Sequence, residues 1–127
     1  SADFNGLITD VIIVRDADLA ADPEKYRKFL RGIYRAVALY ESDPAAFLAA
    51  AAPAFDVTPD EMAADLGGVQ YTNYEQSVAF LGTEAAPGKL AEIFADLNAI
   101  NLSLDLQDTA LVYERQVDPS LLDGLFE

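Results

Sequence analysis

The sequence contains no cysteine and no histidine among its 127 residues. Without cysteine the chain can form no disulfide, no thiolate nucleophile and no zinc–thiolate site. Without histidine it also lacks the commonest general base and the commonest metal ligand in proteins. Carboxylates, tyrosines and hydroxyls remain, so the catalytic inventory is thin and the residues do not indicate an enzyme.

Positive charge is also scarce, with 8 lysines and arginines against 22 aspartates and glutamates and a net charge of −14. This excess argues against nucleic acid or an anionic membrane surface as partner, because both select basic surfaces. The longest apolar run, Ala45 to Phe55, is mostly alanine and contains Pro53. It is too short to span a membrane. The chain is long enough for one domain with a core.

The first nine residues of the range 6–15 have the almost wholly apolar sequence GLITDVIIV. The pattern predicts a β-strand buried on both faces, with neighbouring strands on each side. No second convincing strand follows, and a lone strand with two unpaired edges is not stable. We therefore expect the strand to join a sheet from a larger protein or from a partner.

Helical signals dominate the rest of the chain. N-cap residues precede proline at Asp22-Pro23, Asp43-Pro44, Thr58-Pro59 and Asp118-Pro119. Thr58 and Glu61 form a capping box, and Thr72 to Glu75 repeats the pattern. The predicted helices cover residues 23–41, 44–53, 59–67, 73–81, 87–100 and 119–125. Their predicted ends include Gly67-Gly68, Gly82 and Asn101.

Acidic side chains cluster at the start of the third predicted helix. Glu61 and Asp65 share one helix face, with Asp56 and Asp60 near by, and oxygen ligands of this kind suit a hard cation. The spacing matches no calcium-binding loop, and a solvated helix N-terminus explains these acids better. We therefore predict no metal site and no cofactor.

Asp10 interrupts the apolar strand, and an unpaired buried carboxylate is unfavourable. One explanation is structural: Asp10 pairs with Arg15, caps a loop, or lies at an exposed strand end. The other is functional: Asp10 points into a cleft and accepts hydrogen bonds from a cationic or N–H-bearing ligand. Physical reasoning from the residues alone favours the structural explanation.

Three motifs occur in an order that resembles a known family. They are DVIIVRDADLAADPEKYRKFLRGIYRAVALYESDP, LGGVQYTNYEQSVAFLG and KLAEIFADLNAINLSL, followed by the ending DPSLLDGLF. Together they resemble the C-terminal part of periplasmic solute-binding proteins of ABC importers, in the group that binds taurine, nitrate, aliphatic sulfonates and thiamine precursors. The resemblance covers essentially residues 1–127 and about the last two-fifths of a typical family member. Where the family carries glycine after the third motif's helix, this sequence has Asn101.

The resemblance implies a two-lobe α/β fold of the type II binding-protein kind, of which this chain is the mainly helical C-terminal segment of the first lobe. Its strand would join a sheet whose other strands lie upstream, and the protein would be periplasmic and deliver a small polar solute to a membrane permease. Family members with amino-bearing ligands use an aspartate at the matching place, which makes Asp10 a ligand contact. Thr9 and Phe4 are weaker ligand-binding candidates.

Two alternatives differ in class. A self-contained helical interaction or sensor domain would dimerise through the strand at 6–15 by β-augmentation. An enzyme of thiamine-precursor synthesis would share the binding-protein fold, but such enzymes usually depend on histidine and cysteine, which this chain lacks.

Overall fold

A computed structural model describes residues 10–127, which are mainly helical, as predicted. The chain divides into two compact units, Ser1–Tyr71 and Thr72–Glu127. Helices of the first unit are α1 (Asp16–Ala21), α2 (Pro23–Ser42), α3 (Pro44–Ala51) and α4 (Pro59–Leu66), with a 3₁₀ turn at Ala52–Phe55. The second unit contains α5 (Tyr74–Leu81), β1 (Gly82–Thr83), β2 (Ala86–Pro87), α6 (Lys89–Ser103) and a 3₁₀ turn at Tyr113–Arg115.

Capping residues start four of these helices. Asp22 accepts a hydrogen bond from the Lys25 N–H at 3.1 Å, and Asp43 accepts one from the Ala46 N–H at 3.0 Å. Thr58 and Glu61 form the predicted capping box of α4. In α5 the box is made by Asn73 and Gln76. The prediction that Thr72 and Glu75 make it was therefore one residue out of register, because asparagine is at least as good a cap as threonine.

The helix prediction was wrong at the end of α6. Asn101 remains helical, and the left-handed residue is Asp105, with φ 54°. The Leu106 N–H donates to the Asn101 carbonyl and the Asp105 N–H to the Leu102 carbonyl, which is the Schellman pattern of helix termination. Aspartate adopts the left-handed conformation more readily than most residues do, although less readily than glycine.

Two further elements differ from the prediction. Helix α1 was not predicted, and residues 119–125 form successive turns instead of a helix. Asp118 accepts a hydrogen bond from the Ser120 N–H, and the bonds that follow span three residues, such as Leu122 N–H to the Pro119 carbonyl. Gly124, with φ 62°, interrupts any continuation of a right-handed helix.

The hairpin β1–β2 was also missed. Its strands are antiparallel and pair Gly82 with Pro87 and Thr83 with Ala86. Gly82 has φ 91°, and a side chain there would overlap the backbone of Gly88. The structure therefore requires glycine at this position both for its backbone angle and for close approach.

Each unit buries few apolar side chains. Val37, Ala52 and Met62 are buried in the first unit, where α2 packs on α3 and α3 on α4. Leu122 and Leu125 are buried in the second, where α5 packs on α6. Residues 10–15 have no strand partner within the described chain, and residues 6–9 of the predicted strand lie outside it. The sheet expected for this strand stays a prediction.

Candidate functional site

Asp10, the leading predicted ligand contact, is exposed in the first unit. Among residues 10–127 no ion pair joins it to Arg15, which removes one of the structural explanations for this carboxylate. Its carboxylate therefore remains accessible as an acceptor. Thr9 and Phe4, the two weaker candidates, lie outside the described residues.

The apolar residues that follow Asp10 are largely exposed, and two of them lie beside α2. Val11, Ile12 and Ile13 are 60%, 57% and 86% exposed, whereas Val14 is half-buried. Ile12 and Val14 both line a cavity against α2, while Val11 and Ile13 do not. This spacing of two is the side-chain alternation of an extended strand, although the segment has no partner strand here.

That cavity is an open groove with a volume of about 400 Å³ between residues 12–14 and the first turns of α2. Its lining consists of Ile12, Val14, Lys25, Tyr26 and Phe29. The Lys25 ammonium nitrogen lies 5.2 Å from the centre of the Tyr26 ring, a cation–π distance. The cavity can take up apolar side chains from a neighbouring layer, with the lysine at its rim.

A smaller apolar groove of about 140 Å³ lies further along α2. It is lined by Ile33, Ala36, Val37, Tyr40, Phe47 and Tyr71. Tyr40 makes edge-to-face contacts with Phe47 and Tyr71, at centroid distances of 5.1 and 5.7 Å. In the second unit the Tyr74 hydroxyl donates to the Leu122 carbonyl at 2.7 Å and its ring contacts Phe126. Tyr71 and Tyr74 thus each contact aromatic neighbours within their own unit.

The groove itself was not predicted, although the signal was present. The apolar stripe of α2 (Tyr26, Phe29, Leu30, Ile33, Tyr34, Val37 and Tyr40) identifies the face, and the sequence does not say that Phe47 and Tyr71 close it. Those contacts are tertiary and depend on how α3 turns back on α2.

Glu61, one of the acidic residues near the start of α4, bonds the N-cap residue of its own helix. The Glu61 carboxylate accepts hydrogen bonds from the Thr58 N–H at 2.8 Å and from the Thr58 hydroxyl at 2.7 Å. These bonds, the backbone one first, hold the pKa of Glu61 below its ordinary value. No group of three potential ligands is arranged for a metal ion among residues 10–127. In the same range no helix is both long and apolar enough to cross a membrane.

Comparisons with protein-family models, with curated proteins and with solved structures found no match. The resemblance to solute-binding proteins therefore stays a prediction from the sequence motifs.

Proposed function

We propose that this chain is the C-terminal segment of a two-lobe, periplasmic solute-binding receptor of an ABC importer. It would be a non-enzymatic protein that captures a small polar solute and delivers it to a permease. The observation that carries the proposal is the apolar segment of residues 11–14, whose first three side chains are exposed although their sequence is typical of a buried strand.

The exposure pattern identifies the kind of sheet that this segment fits. Ile12 and Val14 line a groove beside α2, which leaves Val14 half-buried and Ile12 57% exposed. Val11 and Ile13 present a second apolar surface that no described residue of the first unit buries. A strand covered by helices on both faces is typical of the mainly parallel sheets of α/β proteins. The two-lobe receptors have sheets of this architecture.

The position of Asp10 agrees with a ligand contact in such a fold. Solutes of α/β proteins bind at the ends of strands, where loops and strand termini meet in a cleft. The family resemblance implies that Asp10 lies at the start of a strand beside the cleft, and the side chain is exposed. In a closed receptor, hinge motion would enclose the solute and remove water from this carboxylate, which strengthens its hydrogen bonds to an ammonium group.

The test uses the whole receptor that contains this segment, since both lobes enclose the solute. Thermal shift and calorimetry would compare taurine, ethanesulfonate, which lacks the ammonium group, and nitrate. We expect at least one of these three solutes to raise the Tm of the receptor. If the solute is taurine, Asp10→Asn should weaken binding by about tenfold to a hundredfold while leaving ethanesulfonate binding unchanged.

Asp16→Asn is the matched control, because Asp16 is an exposed acid in the same unit, in the first turn of α1. Equal losses in both variants would contradict a specific role for Asp10. A native protein whose intact mass equals that of 127 residues would contradict the receptor proposal itself, because the second lobe would be absent.

The same free segment favours one alternative function, a helical interaction domain that dimerises by pairing two copies of residues 6–15. Such a dimer would satisfy the strand edges across a two-fold axis. Sedimentation equilibrium distinguishes the two functions. A dimer that Ile13→Asp converts to monomer supports the interaction domain, whereas a monomeric protein of two-lobe size supports the receptor.

A further inference from the structure

The second unit carries an exposed apolar surface on α6 and on the chain that follows it. We call it the α6 surface and define it by Leu97, Ile100, Leu104, Leu111 and Val112, each between 49% and 61% exposed. Spacings of three and four residues place Leu97, Ile100 and Leu104 on one side of the helix and its C-terminal cap. These three side chains are therefore neighbours, and neighbouring exposed apolar side chains mark an interaction site more often than scattered ones do.

Side-chain hydrogen bonds hold this surface in place. Asn98 donates to the Leu111 carbonyl at 2.8 Å and accepts from the Leu111 N–H at 3.1 Å. Gln107 donates to the Asn98 side-chain oxygen at 2.7 Å. The chain at Leu111 is therefore fixed beside α6 while its leucine remains half exposed. A surface ordered before binding loses little conformational entropy when a partner docks.

Charge around the surface is mainly negative. The second unit, residues 72–127, contains ten acidic and two basic residues, a net charge of −8. Asp96 lies one helical turn before Ile100, and Asp105 directly follows Leu104. Of the two basic residues, Lys89 begins α6 at its opposite end and Arg115 lies in the 3₁₀ turn that follows Val112. An acidic rim around an apolar strip is complementary to a helix that presents leucine-like residues on one face and lysine or arginine beside them.

We infer that the α6 surface docks a cationic amphipathic helix of another protein. A second copy of this chain fits less well, because two copies would bring acidic rims together. The apolar strip supplies the buried contact and the rim supplies attraction that depends on salt. This interface uses residues of the second unit only, whereas the proposed solute contact, Asp10, belongs to the first.

The test measures fluorescence anisotropy of a labelled synthetic helix of leucine and lysine with leucines at spacings of three and four. The protein is the whole native chain that contains this unit. We expect saturable binding that weakens as salt rises. Leu97→Asn and Ile100→Asn should each reduce affinity by about tenfold, because each removes a buried apolar contact without changing charge.

Two variants serve as controls. Leu102→Asn lies on the opposite side of α6 and should leave the affinity unchanged, whereas Leu97→Met should keep most of it. Circular dichroism confirms that each variant is folded. If Leu97→Asn unfolds the protein, protection of Leu104 and Leu111 amides from hydrogen exchange on peptide binding replaces the affinity measurement.

Three results would overturn the inference. A peptide with the same composition and scrambled leucines could bind equally well, which would show that charge alone acts. The wild-type protein could fail to bind because the rest of the native chain covers the surface. The protein could instead be a dimer that Leu97→Asn dissociates, which would make a second copy the occupant.

Discussion

The two units differ in the kind of hydrogen bond that stabilises each of them internally. In the first unit, described from residue 10, the side-chain bonds are mostly local, such as those that Asp22, Asp43 and Thr58 make three residues ahead. In the second unit, several side chains reach across the sequence, and Tyr74 bonds a carbonyl 48 residues away. Local bonds shape individual helices, whereas distant ones fix elements against each other. The second unit should therefore lose more stability when one polar or conformational position is changed.

The largest effect is expected at Gly82. Gly82→Ala combines a positive φ with overlap between the new Cβ and the backbone nitrogen of Gly88. We expect a loss of about 3 kcal/mol or more in the free energy of unfolding of the second unit. Gly32→Ala is the control, because it lies inside α2 with nothing within 4 Å, and it should stabilise by about 0.5–1 kcal/mol. Denaturant unfolding followed by hydrogen exchange measures both, and equal effects would contradict the required hairpin geometry.

Asn98 comes next, since one side chain satisfies both backbone groups of Leu111. Asn98→Ala should destabilise the second unit by about 2 kcal/mol, as these bonds are only partly replaced by water. Amides between Gln107 and Val112 should lose protection first. Asn101→Ala, on the same helix, should be neutral or slightly stabilising because alanine favours helix. A loss equal to that of Asn98→Ala would show that the bonds from Asn98 to Leu111 are not what makes this end of α6 sensitive to substitution.

The contrast between local and distant hydrogen bonds also explains which structural elements could be predicted from the sequence. The caps at Asp22, Asp43 and Thr58 follow from neighbouring residues, so the sequence predicts where α2, α3 and α4 begin. The cap at Asp118 has the same local pattern, yet Gly124 and three-residue bonds produce turns. An N-cap followed by proline therefore predicts where a turn of helix can begin and not whether it continues.

The two candidate sites also differ in whether the sequence alone could identify them. Asp10 could be identified as an anomaly in an apolar strand, since its polarity is a property of the sequence. The α6 surface could not, because Leu97 and Ile100 read as core positions of an amphipathic helix until their exposure is known. Which apolar side chains stay uncovered depends on how the elements pack.

A smaller effect is expected at Tyr113, whose hydroxyl donates to the Leu81 carbonyl at 3.1 Å and whose ring contacts Phe94. Burial, and then the charge of Glu114, raises the pKa of Tyr113 above its ordinary value. The folded state therefore favours the neutral phenol, so its contribution is full below the unfolded pKa and is lost as pH rises through the folded one.

Tyr113→Phe tests this contribution. It should cost about 1 kcal/mol at neutral pH through loss of the hydrogen bond, while keeping the ring contact. The variant should also lose less stability than the wild type on going to alkaline pH, as measured by urea unfolding. An identical alkaline dependence in both proteins would contradict the assignment to Tyr113.

The smallest effect is expected at Glu61, where the bond is local and exposed. Because hydrogen bonds from Thr58 lower the pKa of Glu61 below its ordinary value of 4.5, its ionised form is the one that the fold favours. Its contribution is therefore present above that value and is lost as pH falls through the folded pKa.

The loss of stability at low pH should be confined to the first turn of α4. Among the described residues, the Glu61 carboxylate accepts hydrogen bonds only from Thr58. Acidification should expose the Thr58 and Glu61 amides to exchange before Met62, which is buried. Glu61→Gln keeps an acceptor without the charge and should remove the pH dependence of this local opening. If acid instead opened the whole first unit together, its helix caps would be coupled to the core, and the distinction between locally and distantly bonded units would fail.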